Sequence, residues 1–318
     1  MNKMSKKIAF LFPGQGAQAV GMGKDLYDNY ESAKSVYNTA DSVLGKSVSS
    51  LCFEGPEDAL KQTVNTQPCI VTTSIAALEA LKSELGIAPD YVAGHSLGEY
   101  CAMYTAGVMS LETTLKAIQK RADLMGQTKG GAMAAVLNAT EEVLEAGLAE
   151  GSKVGYVDVA NYNSPAQVVI TGDENAVKTA GDYILANGAR RVVPLAVSGA
   201  FHSKFMENAG KEFESFVSSL DLSDASIPVI TNVDATATTS SADFRVKMPR
   251  QIYSSVHWTQ TIQKMVSDGV EIFVEIGPGK VLAGLNKKIA PEAKVFNVFD
   301  KESLENTISS LKEELALV

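Results

Sequence analysis

The residues best suited to catalysis lie in one short stretch, where an apolar segment beginning at Tyr91 is followed by Gly-His-Ser-Leu-Gly. A serine between two glycines, with a strand before it and a helix after it, is the context of a nucleophile elbow. Glycine at positions 94 and 98 removes β-carbons that would collide where a strand turns sharply into a helix. The turn presents the Ser96 hydroxyl at the carboxyl end of the strand, and it points the first helical N–H groups, beginning with Leu97, at a developing oxyanion. A plain glycine-rich turn is the alternative.

A serine hydroxyl needs a base to accept its proton, and the chain offers only three histidines. His95 directly precedes the serine, so its side chain should diverge from that of Ser96. His257 is next to the only tryptophan and is better interpreted as a packing residue or a wall of the substrate site. His202 lies in the loop Gly199–Ser203, at the junction of two subdomains, where clefts form. We therefore expect His202 to be the general base, with a surface histidine as the alternative.

Residue types alone do not identify the group that orients this imidazole. The chain order serine, acid, histidine would require Asp158, Asp173 or Asp182. These acids belong to an inserted segment, which makes such a contact topologically awkward. A backbone carbonyl is the other possibility.

A glycine loop, Pro13–Ala19, follows the first expected strand and formally matches a dinucleotide-binding fingerprint. Pro13 interrupts that pattern, and Asp28 and Glu31 fall within a helical pattern rather than at the end of a second strand. We expect the loop instead to bring a backbone N–H to the serine as a second oxyanion donor. The later segment Gly277–Lys280 lacks the Ser/Thr of a phosphate loop and is expected to be a turn.

Arg121 follows the serine by 25 positions, on a helix that is otherwise apolar. Periodicity alone favours a solvated arginine. If the side chain points into the cleft, its planar fork suits a carboxylate.

The composition is that of an ordinary globular enzyme, with 318 residues, 45% apolar residues and a net charge of −9. The negative charge and the lack of a Lys/Arg-rich block argue against a nucleic-acid partner. No apolar run approaches the length that spans a membrane, and the apolar run at the start is too short for a signal peptide. Three cysteines without CxxC spacing (Cys52, Cys69, Cys101) indicate buried free thiols and a reducing, cytoplasmic compartment. No cofactor or metal is expected.

Alternating strands and helices predict a parallel α/β sheet built from two separated parts of the chain, residues 1–128 and 199–318. Residues 129–198 have the order βαββαβ, which predicts an inserted ferredoxin-like subdomain. Within the first part, Leu26–Leu44 is predicted to be helical. A long helix is predicted to open at Thr66–Pro68, with Pro68 near its first position.

Seven motifs occur in the order found in one family: Phe12–Gln18, Asn65–Pro68, Gly94–Tyr100, Arg121, Asn161–Pro165, Ala200–Ser203 and Val274–Gly279. Over essentially its whole length the chain closely resembles the malonyl-CoA:acyl carrier protein transacylases of type II fatty acid synthesis and the acyltransferase domains of polyketide synthases. The resemblance implies an α/β-hydrolase-like core with a ferredoxin-like insertion, in agreement with the pattern of elements.

The resemblance also implies roles for individual residues. It places the nucleophile at Ser96, the base at His202, and the oxyanion-hole amides at Gln15 and Leu97. It makes Arg121 the clamp for the free malonyl carboxylate, which reverses the expectation from periodicity. In the family a main-chain carbonyl holds the histidine, and the matching position here is Gln251.

Around the substrate the resemblance implies three further residues: Phe201, His95 and Asn161. The Phe201-His202 pair resembles that of malonyl-selective members, whereas branched-extender enzymes commonly have a smaller residue before the histidine. One departure is Ala122, where the family often has glycine. The change is small and leaves the expected clamp at Arg121 intact.

The implied reaction is transfer of malonyl from malonyl-CoA to the phosphopantetheine thiol of acyl carrier protein through malonyl-Ser96. Two alternatives are a serine hydrolase or thioesterase with the same Ser-His pair, and a non-catalytic loading module. Because both the carrier protein and this chain are acidic, docking would need a local basic patch. The candidates are Lys204, Arg190, Arg191 and Lys280.

Overall fold

The computed structural model describes residues 6–316. Within them the strands are β1 (Lys7–Phe12), β2 (Tyr91–Gly94), β3 (Ala132–Leu137), β4 (Val157–Ser164), β5 (Gln167–Gly172), β6 (Arg191–Pro194), β7 (Val229–Ile230), β8 (Ala237–Thr238), β9 (Val270–Ile276) and β10 (Lys294–Val298). The interpretation of the basic start of the chain concerns residues 1–5 in part, and these lie outside the described residues.

The helices of the described residues are α1 (Lys24–Asn29), α2 (Glu31–Leu44), α3 (Val48–Glu54), α4 (Glu57–Leu60), α5 (Thr63–Glu84), α6 (Glu99–Thr105), α7 (Leu111–Gln127), α8 (Glu141–Gly151), α9 (Glu174–Ala186), α10 (Glu207–Ser218), α11 (Ser241–Tyr253), α12 (Trp258–Ser267), α13 (Val281–Ile289) and α14 (Lys301–Leu315). Short 3-10 turns at Ser96–Gly98 and Lys204–Met206 precede α6 and α10.

A six-stranded sheet with the order β10-β9-β1-β2-β7-β8 forms the larger layer. All of its neighbours pair in parallel except β7 and β8. Strand β1 is the apolar sequence Lys-Ile-Ala-Phe-Leu-Phe and is buried from Ile8 to Phe12, as expected for a central strand covered on both faces. Helix α5 packs against the neighbouring strands β9 and β10 and is buried almost all round.

The carboxyl ends of the parallel strands meet at one edge of this sheet. The glycine loop after β1, the serine turn after β2 and the segment after β7 therefore converge there. This is the edge at which open α/β sheets bind ligands.

A separate antiparallel sheet has the order β4-β5-β3-β6 and is covered by α8 and α9. Its own apolar core includes Val136, Ile170 and Ile184. The chain enters this unit beside the point where it leaves, because Gly130 forms a parallel bridge with Gly199. A second junction pairs Asn161 of β4 with Val256, which follows α11.

The structure confirms the coarse prediction of a mixed α/β protein with a largely parallel sheet and a second, separate sheet. The three cysteines are buried free thiols, as expected. Over residues 6–316 there is no helix with the length and apolar character needed to cross a bilayer.

The predicted start of the long helix is wrong. Helix α5 begins at Thr63, so Pro68 lies inside it rather than at its first position. Proline has no N–H to donate to the carbonyl of Val64. That carbonyl instead accepts hydrogen bonds from Gln119 Nε2 at 3.3 Å and Lys46 Nζ at 3.5 Å, which compensates for the missing backbone bond.

Two smaller differences concern the first part of the chain. The predicted helix Leu26–Leu44 is two helices, because Tyr30 adopts an extended conformation between α1 and α2. The short helices α3 and α4 were not predicted. They are seven and four residues long, too short for a periodic pattern to stand out.

Candidate active site

The turn after β2 brings backbone segments into closer contact than any side chain allows. A β-carbon on Gly94 would lie 1.9 Å from the carbonyl carbon of Gly98, and one on Gly98 would lie 2.3 Å from the carbonyl oxygen of Phe12. Ser96 between them has a φ of 53°, in the left-handed region that non-glycine residues rarely occupy. The two glycines therefore permit a tight turn with a strained serine at its tip.

The side chain of Asn232, two residues after the neighbouring strand β7, holds this turn. Its Oδ1 accepts the N–H of Ser96 at 2.8 Å, and its Nδ2 donates to the carbonyl of Gly94 at 2.7 Å. Glu99 in turn accepts the backbone N–H of Asn232 at 2.6 Å. Asn232 is fully buried, so its amide satisfies both sides of the turn where water has little access.

Ser96 and His202 meet at this edge of the sheet, with Ser96 Oγ 2.8 Å from His202 Nε2. The other ring nitrogen, Nδ1, lies 3.0 Å from the carbonyl oxygen of Gln251 and 3.1 Å from that of Ser254. Because carbonyls only accept hydrogen bonds, Nδ1 carries the proton. Nε2 is then free to accept the serine proton.

The environment keeps this imidazole neutral. Burial, followed by the positive charge of Arg121 and the proximity of His95, lowers the pKa of His202 to about 3. A neutral histidine with its lone pair on the serine hydroxyl is the form that a general base requires.

The three acids considered as orienting groups for His202 form hydrogen bonds or ion pairs with other residues. Asp173 accepts the backbone N–H of Tyr156 at 2.7 Å, Asp158 accepts that of Val159 at 2.8 Å, and Asp182 pairs with Lys178. Of the two possibilities left open by residue types, the backbone carbonyl is the one present in the structure.

Arg121 is buried, in contrast to the expectation from periodicity, and only 1% of its surface is exposed. One terminal nitrogen donates to Gln67 Oε1 at 2.6 Å. The other donates to Gln251 Oε1 at 3.0 Å and to Ser96 Oγ at 3.1 Å. All three acceptors are neutral. The guanidinium thus lies beside the serine without a hydrogen-bonded carboxylate among the described residues.

A small cavity of about 110 Å³ opens onto the serine. Its wall includes Ser96, His202, Arg121 and Gln15 together with the three residues that the resemblance places around the substrate, namely Phe201, His95 and Asn161. His95 Nε2 lies 2.8 Å from Asn163 Oδ1. Gln67, two methionines and two aliphatic residues complete the wall, so polar groups converge on a cavity that is apolar on its other sides.

The glycine loop after β1 lies directly over the serine turn. A β-carbon on Gly14 would be 2.7 Å from the carbonyl oxygen of His95, so this approach also requires glycine. Within residues 6–316, the N–H groups of Gln15 and Leu97 have no protein acceptor. Gln15 also lines the cavity at the serine, and Leu97 directly follows that serine.

His257, predicted to be a packing residue or a substrate wall, stacks on Tyr162 at a centroid distance of 5.2 Å. The four basic docking candidates are all exposed. Lys204 lies 4.0 Å over the ring of Tyr156, and Lys280 lies 4.7 Å over that of Phe299. Arg190 and Arg191 lie at the start of β6.

Sequence reasoning missed Asn232, Ser254 and the side-chain role of Gln67. Asn232 follows β7 by two residues, and a polar residue just beyond a central strand was the available signal. Ser254 contributes only a backbone carbonyl, which no residue type can reveal. Gln67 was part of a quoted motif, but nothing in the sequence linked it to Arg121.

A comparison with protein families matches residues 9–299 to the acyl transferase domain family. The chain is 45% identical to a malonyl CoA-acyl carrier protein transacylase of Bacillus subtilis, over 97% of this chain and 98% of that protein. A Synechocystis protein of the same name is 42% identical over 94% of this chain and 99% of its own length.

Solved structures agree with these relatives. An acyl carrier protein S-malonyltransferase from Vibrio cholerae superimposes with a TM-score of 0.91 at 39% identity, covering 95% of this chain and 99% of that one. A malonyl-transacylase in complex with its type II PKS acyl-carrier protein superimposes with a TM-score of 0.93 at 35% identity, covering 96% and 99% of the two chains.

Proposed function

Since the chain belongs to the acyl transferase domain family, we propose that it transfers the malonyl group of malonyl-CoA to the phosphopantetheine thiol of acyl carrier protein. One observation carries the proposal: a serine hydroxyl lies 2.8 Å from a neutral histidine and 3.1 Å from a buried arginine that has no hydrogen-bonded carboxylate within residues 6–316. The first contact provides a nucleophile and the second provides a receptor for a carboxylate on the acyl group.

In the first half-reaction, Ser96 Oγ attacks the thioester carbonyl of malonyl-CoA while His202 Nε2 takes the hydroxyl proton. A bond forms between Oγ and the carbonyl carbon, and the carbonyl electrons move onto oxygen. The N–H groups of Gln15 and Leu97 stabilise this oxyanion. When the oxyanion collapses, the carbon–sulfur bond breaks, and the departing CoA sulfur receives the proton from His202.

In the second half-reaction, the carrier protein's thiol gives its proton to His202 and attacks the ester of malonyl-Ser96. The tetrahedral intermediate uses the same two N–H groups. Its collapse breaks the carbon–oxygen bond, and His202 returns the proton to Ser96 Oγ. Throughout, the carbonyls of Gln251 and Ser254 keep the Nδ1 proton in place, so the imidazole presents Nε2 to each incoming group.

Arg121 supplies the selectivity for malonyl. The free carboxylate carbon of a malonyl ester is three bonds from Oγ, within reach of a guanidinium 3.1 Å from the same oxygen. Acetyl-CoA lacks this carboxylate and would leave a buried cation unpaired, at a cost of several kcal/mol. Phe201, His95 and Asn161 then serve as walls around the acyl group.

The finer architecture is part of the proposal. Residues 1–128 and 199–318 would form an α/β-hydrolase-like core, and residues 129–198 a ferredoxin-like subdomain. The strand order β4-β5-β3-β6 supports this division. When the four strands are numbered within the segment, the order is 2-3-1-4, as expected for a ferredoxin-like βαββαβ unit. So does the bridge between Gly130 and Gly199, which brings the two ends of the segment together.

The cellular setting of the proposed enzyme is the cytoplasm, in type II fatty acid synthesis, where a free-standing carrier protein delivers the thiol. The buried free cysteines suit a reducing compartment. The exposed side chains of Lys204, Arg190, Arg191 and Lys280 are the candidate docking patch for an acidic carrier.

Intact-mass spectrometry tests the proposal directly. Wild-type protein mixed with malonyl-CoA should gain the mass of one malonyl group, the adduct should pass to phosphopantetheinylated carrier protein, and Ser96→Ala should gain nothing. Release of free malonate to water in place of transfer would indicate the hydrolase alternative. A wild-type protein that acquires no adduct would refute covalent catalysis by Ser96.

A further inference from the structure

Two glutamines from different helices hold the arginine beside the serine. Gln67 on α5 accepts from one terminal nitrogen of Arg121 at 2.6 Å, and Gln251 on α11 accepts from the other at 3.0 Å. Both glutamines have only 1% of their surface exposed. Arginine has no acceptor, so each carboxamide must turn its oxygen toward the guanidinium. The arginine is therefore fixed by hydrogen bonds that bring no negative charge.

The guanidinium Nε has no hydrogen-bond partner within the described residues. Glu99 is the buried carboxyl group that acts on the charge of Arg121. Its hydrogen bond, however, is with the backbone N–H of Asn232. Burial also raises the pKa of Glu99 to about 7, which weakens it as a counter-ion. Glu99 therefore compensates the positive charge of Arg121 only in part, and within residues 6–316 no carboxylate hydrogen-bonds the guanidinium.

We propose that Gln67 is a specificity-determining positioning residue, whose neutral carboxamide fixes Arg121 while leaving the arginine's charge available for an acyl carboxylate. This inference rests on the proposed malonyl transfer and adds a determinant that acts through Arg121. A carboxylate at position 67 would make the same hydrogen bond but would neutralise the guanidinium. Free energy gained from the malonyl carboxylate would then fall, and the site would favour an uncharged acyl group.

Gln67 allows a cleaner test than Gln251. The remaining polar group of Gln67, Nε2, contacts the sulfur of Met125 at 3.5 Å, a weak acceptor, and forms no other hydrogen bond within the described part of the chain. Nε2 of Gln251 instead donates to the carbonyl of Ser96 at 2.7 Å, so a glutamate there would also disturb the nucleophile turn. Gln67→Glu keeps shape and hydrogen bond and changes mainly charge.

The experiment measures initial rates of Ser96 acylation from malonyl-CoA and from acetyl-CoA by intact mass, and compares their ratio among variants. Gln67→Glu should lower the malonyl-to-acetyl ratio by about tenfold or more, with acetyl loading kept or increased. Gln67→Met is neutral and similar in size but cannot accept the arginine's hydrogen bond, so it should lower the ratio less than Gln67→Glu does, by no more than about threefold. Gln62→Glu adds the same charge at the exposed N-cap position of α5 and should behave as wild type.

A ratio for Gln67→Glu within about twofold of wild type would overturn the proposal. So would an equal loss of preference in Gln67→Met, because the hydrogen bond rather than the charge would then be responsible. If Gln67→Glu does not fold, as judged by its melting temperature, the result for Gln67→Met decides. A wild type that is not loaded by malonyl-CoA would contradict the proposed function itself, and so is distinguishable from failure of this inference.

Discussion

Replacing Asn232 by alanine should damage both the stability and the chemistry of the site. Its side chain satisfies the N–H of Ser96 at 2.8 Å and the carbonyl of Gly94 at 2.7 Å. Losing a buried partner costs about 1–3 kcal/mol per group, so the two together predict a loss of about 2–6 kcal/mol in unfolding free energy. Ser96, strained at a φ of 53°, would also lose the contact that opposes its relaxation.

A shift of about 1 Å in a nucleophile lowers a rate by about a hundredfold. We therefore expect Asn232→Ala to slow acylation by malonyl-CoA to about this extent. Urea unfolding gives the stability, and rapid-quench intact mass gives the acylation rate. The matched control is Asn208→Ala, at an exposed helical position, which should change the unfolding free energy by less than about 0.5 kcal/mol. An Asn232→Ala protein as stable and as fast as the control would refute the positioning role.

Three further predictions follow from the site. Because the pKa of His202 is lowered to about 3, the acylation rate should stay constant down to about pH 5. The unfolding free energy should fall as the pH drops below about 6.5, where the imidazole of the unfolded chain takes up a proton. A break in the pH profile of the rate near pH 6.5 would contradict this. Arg121→Ala should slow malonyl loading by about a hundredfold and acetyl loading far less, as measured by competing the two thioesters; equal slowing would argue against a carboxylate receptor. Gly94→Ala should lower the unfolding free energy by more than about 3 kcal/mol, because its β-carbon would lie 1.9 Å from the Gly98 carbonyl carbon, whereas Gly86→Ala has open space and should be tolerated; thermal melts compare the two.

Much of the fold could be predicted because its elements are local. The buried strand β1, the serine-capped helix α7 and the glycines of the turn each carry a signal within a few residues. Pro68 shows where local rules fail. Its position inside α5 depends on Gln119 and Lys46, which are distant in sequence and supply the donors that proline lacks.

The site divides in the same way. Ser96 and His202 could be identified from residue type and rarity, whereas Arg121 looked like a solvated helix residue until the family resemblance was considered. Its burial depends on Gln67 and Gln251, which approach from two other helices. Such long-range partners are a property of the tertiary fold, and one sequence without its fold does not reveal them.

The bridge between Gly130 and Gly199 brings together the two chain ends of the small antiparallel sheet. A segment whose two ends lie side by side can be exchanged between related proteins with one pair of splice points. Met133 and Asn161 would travel with such a cassette, and both line the cavity at the serine. Grafting this unit from a relative would thus replace one wall of the acyl pocket without changing the serine, histidine or arginine.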